Sequence, residues 1–192
     1  PLFSSWSKHH MGHWKLPSGF IFLLLIILSS KLFASEASKS GPVIKQFGAH
    51  VSVVQDKPIT KSLTFKIAFD VGHQNKNGGI NRSFDSLARF INMHVANGTP
   101  IKNIDLALVI HGKSAFDALH ADAFEERFLE SNPNIELLNE LLKHNVSVYV
   151  CGQTAGFLSI KNDELMEGIV MSLSAMTTHA LLQQDGYTLN PF

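Results

Sequence analysis

The amino-acid sequence predicts an α/β fold: a three-layer α/β/α sandwich around a mainly parallel sheet of about five strands. Two observations carry this. Short apolar runs rich in β-branched and aromatic residues alternate with segments of helical periodicity, the pattern of crossover units. The runs are apolar nearly throughout rather than at every second residue, as strands covered on both faces must be.

Leu63–Val71 is the first strand, with Phe65, Ile67, Ala68 and Phe69 almost continuously apolar, and a polar Gly-rich loop from Gly72 to Gly79 follows. Phe84, Leu87, Ala88, Ile91 and Val95 then recur at helical spacing up to Asn97-Gly98, a helix-end signal. Ile104–Ile110 is the second strand, bounded by Pro100 and Gly112. Ser114–Glu130 is helical by propensity, with Phe116, Leu119, Ala123 and Phe128 expected inside. Asn132-Pro133 is expected to open the next helix, since proline suits a first turn, and its apolar face is Ile135, Leu137, Leu138, Leu141 and Leu142. Val146–Val150 is the third strand and runs into Cys151-Gly152; a short helix is expected over about Thr154–Leu165. Ile169–Ser172 makes a fourth, very short strand, Ser174–Gln184 the last helix, and Tyr187–Leu189 a final strand.

This domain spans residues 62–192. Residues 38–61, rich in Ser, Lys, Gly and Pro, read as an extended N-terminal arm in which Val51–Val54 looks strand-like. Residues 11–37 have the layout of a secretory signal peptide: Met11 opens a short region containing Lys15, Phe20–Leu28 is unbroken apolar, and Ala34, Ser35 and Ala37 supply small residues for cleavage. The competing reading is an uncleaved membrane anchor, although Pro17, Ser29, Ser30 and Lys31 interrupt the run well short of the roughly 20 apolar residues a span requires. Residues 1–10 precede Met11 and are read as upstream or non-native sequence. A membrane is therefore expected as a partner only through an uncleaved leader, and the expected compartment is the periplasm.

The formal net charge of the 192 residues is zero, and the six lysines between Lys39 and Lys76 form no basic face, so nucleic acid is excluded as an expected partner. Beyond Ala34, 13 basic residues stand against 16 acidic ones, a net charge of −3. Cys151 is the one cysteine, so an internal disulfide is impossible and a free thiol stands in an oxidising compartment.

In open parallel sheets, reactive groups gather beyond the carboxyl ends of the strands. Asp70 and His73 follow the first strand, His111 and Gly112 the second, and Cys151, Gly152 and Gln153 the third. A thiol reacts as its thiolate, which a helix N-terminus or a cation favours; Gly152 permits the tight turn that brings helix N–H groups to the sulfur, and His111, Lys113 or His73 can supply charge. Two readings of Cys151 stand side by side, a reactive thiol and a buried small hydrophobe. His94 and His179 lie within helices and read as core or surface. The Gly72–Gly79 loop has neither phosphate-binding spacing, and no zinc pattern or nucleophile elbow occurs, so no cofactor or metal is expected.

The run Val148-Tyr149-Val150-Cys151-Gly152-Gln153, with Ile110-His111-Gly112 before it and Gly186-Tyr187 after, resembles the DsrE/DsrF-like family. Gly41-Pro42-Val43-Ile44, the segment Ala88–His94 and Leu173-Ser174-Ala175-Met176 resemble an exported, largely uncharacterised branch of it. The resemblance implies an α/β/α (DsrEFH-like) fold assembling as homo-trimers or hexamers. It also implies a cysteine, here Cys151, that accepts sulfur as a persulfide from a donor protein and passes it to an acceptor protein. The expected function is thus a periplasmic sulfur relay, with His111 tuning the thiol. The alternative is a non-catalytic oligomeric binding or scaffold module.

Overall fold

The computed structural model describes residues 38–191, so the leader and the residues before it lie outside the described residues. Five parallel strands form one sheet in the order β4-β3-β2-β1-β5: β1 Phe65–Val71, β2 Ile104–Ile110, β3 Ser147–Cys151, β4 Val170–Ser172 and β5 Thr188–Asn190. The helices are α1 Arg82–Ala96, α2 Ala121–Phe128, α3 Ile135–Lys143, α4 Gly152–Phe157 and α5 Ala175–Gln184, with 3₁₀ turns over Ile101–Asn103, Gly112–Ala118 and Asn162–Glu164. Among the described residues no helix is long and apolar enough to cross a membrane.

Strand alternation divides the sheet into two faces. One carries Phe69, Val71, Leu106, Leu108, Ile110, Val148 and Val150, and packs with Phe84, Leu87 and Ile91 of α1 and Leu137, Leu138 and Leu141 of α3 in the main core. The other carries Ala68, Ala107 and Val109, covered by Leu182 of α5 and by Tyr187. The sandwich therefore has three layers of unequal weight. Full burial of each large aliphatic or aromatic side chain contributes about 1.5–3 kcal/mol, so the α1/α3 side holds most of the stability.

Four expectations are corrected. Ser114–Glu130 is not one helix: Leu119 is extended (φ −73°, ψ 144°), separating the 3₁₀ turn from α2. Tertiary partners take the backbone there, as Met166 N–H donates to the Ala118 carbonyl and the Asn132 side chain to the carbonyls of Asp117 and Leu119. Phe128, expected inside, is exposed, and its ring meets Phe116 and Phe124 near the surface. Asn132-Pro133 does not start α3; Asn134 is its cap and Ile135 its first residue, because Asn132 is spent as that buried clamp. The helix after Cys151 is shorter than expected, ending at Phe157.

Within the extended arm, residues 38–50 form a hook. Lys39 and His50 pair antiparallel, and Ile44 and Phe47 are buried in the main core. Val51–Val54 joins no strand, and Val54 is wholly exposed.

Candidate functional site at the carboxyl edge of the sheet

The parallel register determines which strand-end residues are neighbours. Val71 pairs with Ile110, and Ile110 with Val150; His111 N–H donates to the Val71 carbonyl at 2.9 Å, carrying the β1–β2 ladder one residue further. His111 therefore follows Ile110 in step with Cys151 following Val150. Counting by twos along each strand, Asp70, His111 and Cys151 continue the series Ala68, Val109 and Tyr149, which is the face that α5 covers.

Glycines make this close convergence feasible. A Cβ on Gly72 would sit 2.6 Å from Cε1 of the His111 ring, and one on Gly112 would strike the Gly72 carbonyl oxygen. Gly152 lies equally tight against the carbonyl of Ser172. The Ser114 hydroxyl lies 2.7 Å from each of the carbonyl oxygens of Val71 and His111, tying the two strand ends together.

Cys151 ends β3 and precedes α4. Its side chain is buried, with 6% of the residue exposed. Burial pushes the thiol pKa up, but the backbone N–H groups of Thr154, Ala175 and Gln153 and the Thr154 side chain outweigh it and hold the thiol below its ordinary value. The sulfur does not cap α4 with a side-chain hydrogen bond, so these groups form a loose electropositive shell at the starts of two helices, α4 and α5. Thr154 also joins the neighbouring loop, since Gly112 N–H donates to its Oγ1 at 3.3 Å.

Asp70 sits between two histidines: His179 Nε2 is 2.7 Å from Oδ1 and His111 Nε2 is 3.2 Å from Oδ2. Burial raises the Asp70 pKa, and the hydrogen bonds and charge interactions of the two histidines more than reverse this, holding the carboxyl below its ordinary value. His179 Nδ1 is buried without a partner. The tautomer follows: Nε2–H donates to Asp70 and Nδ1 carries the lone pair, because a proton on Nδ1 would be a buried donor with no acceptor.

The structure thus brings together Asp70, His111, Gly112, Cys151 and Gly152. His73 is exposed and enters through its carbonyl alone, which accepts from Asn81. Gln153 is exposed, and its side chain reaches the Leu173 carbonyl at 3.4 Å. The groups acting on the sulfur do not include His111, whose hydrogen-bond partner is Asp70. His179, read from the sequence as a core or surface residue, joins the site from inside an ordinary-looking helix, 109 positions from its partner. Sequence reasoning passed over Thr154, whose one signal was its place in the first turn after the cysteine. Among the described residues, no three or more His, Cys, Asp or Glu side chains are arranged to hold a metal ion.

No curated protein matches the sequence. Among solved structures, the chain is similar to MTH1491, a protein of unknown function from Methanobacterium thermoautotrophicum, at 13% identity and a TM-score of 0.51; the match covers 67% of this chain and 99% of that one. It is similar to the ychN protein of E. coli at 19% identity and a TM-score of 0.50, covering 67% of this chain and all of that one. These likenesses concern the fold. The DsrE/DsrF-like family model matches residues 65–191, from the first residue of β1 through the cysteine turn and past β5. The chain belongs to the DsrE/DsrF-like family.

Proposed function

We propose that this protein is an exported, periplasmic sulfur carrier that holds sulfane sulfur on Cys151 as a persulfide and passes it from a donor to an acceptor protein. The observation that carries the reading is the place of Cys151 at the carboxyl end of β3 directly before α4, where neighbouring N–H groups hold the thiol below its ordinary value despite burial. Such surroundings serve a thiolate nucleophile. Family membership is compatible with this role. Export rests on the leader-like segment at residues 11–37.

Homo-oligomerisation belongs to the same proposal. Val170, Leu173, Met176 and Leu181 are exposed apolar residues around β4 and α5, and Phe157 at the end of α4 is 90% exposed. A surface of this kind suits a second copy of the chain.

One observation favours a second reading, a non-catalytic binding module: the low exposure of Cys151. One experiment separates the two. The protein is treated with a sulfane-sulfur donor and its mass is measured. One added sulfur in the wild type and none in Cys151→Ser is the expected outcome. An unmodified wild type, under conditions that load a known carrier, would leave the binding module standing.

A further inference from the structure

We propose that the cleft between the arm and the carboxyl-terminal end of α1 binds a small uncharged molecule, a single ring carrying one hydroxyl that donates to Nε2 of His94. The site is separate from the cysteine turn. His94 meets the ring of Phe65, the first residue of β1, whereas Cys151 is the last residue of β3 in the same parallel sheet. The inference therefore stands independently of the sulfur-carrier reading.

Residues 51–59 run beside the end of α1 as a strap fastened at both ends. At one end His50 pairs with Lys39, and its Nε2 meets the Gly41 carbonyl oxygen at 3.0 Å. At the other, the Gln55 side chain donates to Asn97, the cap of α1, and accepts from Ile59 N–H. Between these points Val51–Val54 makes no hydrogen bond among the described residues. The strap does not close on the helix. It leaves a cleft of about 260 Å³, walled by Val51, Val53 and Ile59 on one side and by Met93, His94 and Asn97 on the other.

The volume limits the ligand to one ring. An apolar cavity of about 150 Å³ is enough for benzene, and drug-sized ligands occupy roughly 300–1,000 Å³. The walls disfavour charge. No Asp, Glu, Lys or Arg lines the cleft, and burial holds the His94 imidazole below its ordinary pKa, so an ionic ligand finds no counter-charge. Hydrogen bonding then selects a donor. His94 Nδ1 stands 2.8 Å from the Phe90 carbonyl oxygen, which accepts only, so Nδ1 carries the proton and Nε2 the lone pair. The amides of Gln55 and Asn97 are engaged with each other, with Ile59 N–H and with the Met93 carbonyl. Among the described residues, Nε2 has no such partner. The imidazole is also held in place, stacked on Phe90 at 3.8 Å and set edge-on to Phe65 at 4.6 Å, so the acceptor is oriented before a ligand arrives.

The test uses p-cresol, with toluene as the same ring lacking the hydroxyl, and follows the NMR shifts of the Val51, Val53, Ile59 and Met93 methyl groups in the folded protein at pH 7. p-Cresol is expected to bind with a dissociation constant of about 1 mM, in keeping with a fragment of its size. It should bind about fivefold more tightly than toluene, the gain that one net hydrogen bond supplies. His94→Phe keeps a stacked ring and removes the acceptor, and should bring p-cresol to the toluene value with toluene unchanged. Val53→Glu, at an exposed position of the strap, puts a charge into the wall and should weaken both probes about tenfold. Equal binding of the two probes to the wild type overturns the inference, as does a p-cresol preference that survives in His94→Phe. So does the absence of shifts at these methyl groups up to about 20 mM p-cresol, well above the expected constant. Shifts that follow protein concentration and ignore p-cresol would assign the cleft to a second copy of the chain and likewise overturn it. Should His94→Phe not fold, the comparison of the two probes on the wild type and on Val53→Glu decides.

Discussion

Thr154 is a side chain with two duties. Its Oγ1 accepts from Gly112 N–H, and the same residue, through hydroxyl and backbone, favours the Cys151 anion. Thr154→Val keeps the shape and removes the hydroxyl. Losing a hydrogen bond to a charged group costs about 1.5–3 kcal/mol in a favourable geometry, and the loose one here lies at the lower end. Alkylation of Cys151 at pH 7 is therefore expected to slow by about tenfold in Thr154→Val and to recover in Thr154→Ser; equal rates in all three would remove Thr154 from the site. At this scale the sequence was partly legible. Asp70, His111 and Cys151 could be listed because strand ends are recognisable as ends of apolar runs. Which of them touch depends on register, and register is set by pairing between strands that are remote in sequence. His179 was opaque for the same reason: nothing in the periodicity of α5 indicates that one position faces a carboxylate on β1.

The hook over residues 38–50 shows how one side chain can organise an element. Asn92, fully buried on α1, accepts from the N–H groups of Val43 and Ile44 and donates to the carbonyls of Ile44, Phe47 and Gly48. Gly48 then lies so close to the backbone of Ala88 that no side chain fits there. The Gly41–Ile44 and Ala88–His94 segments, which look unrelated in sequence, are thus two halves of one contact. Asn92→Ala strands several buried backbone groups and is expected to cost about 3 kcal/mol, given that each buried unsatisfied group costs roughly 1–3 kcal/mol and some regain water. Urea unfolding measures this, and a loss below about 1 kcal/mol would show that the hook is not fastened through Asn92. The strands and long helices were readable from periodicity, and β2 matches its expected bounds throughout. Ser114–Glu130 was not, because its propensity is helical while its carbonyls at Asp117, Ala118 and Leu119 are claimed by Asn132 and Met166. Val51–Val54 has strand-like residues but no neighbour to pair with.

For the molecule as a whole, the decisive asymmetry is that α1 and α3 together cover one side of the sheet and α5 alone covers the other. Tyr149, Val170, Leu181 and Leu182 line a cavity of about 280 Å³ between α5 and the β3–β4 margin, and Met176 and Leu173 stand exposed at the same end. A partner copy lying there would cover this ground and narrow access to the cysteine turn. Sedimentation of the wild type is expected to give an oligomer, and Met176→Asp with Leu181→Asp a smaller species that keeps its helical content. A monomeric wild type would remove self-association from the proposed function. The outermost strands add a constraint on any such assembly. β4 and β5 are each only three residues long, so each margin offers an incoming chain very few rungs to hydrogen-bond. Strand-by-strand growth into fibres lacks a template at either side. An assembly of copies would have to be built through helix and sheet faces, since the margins offer so little backbone to pair with.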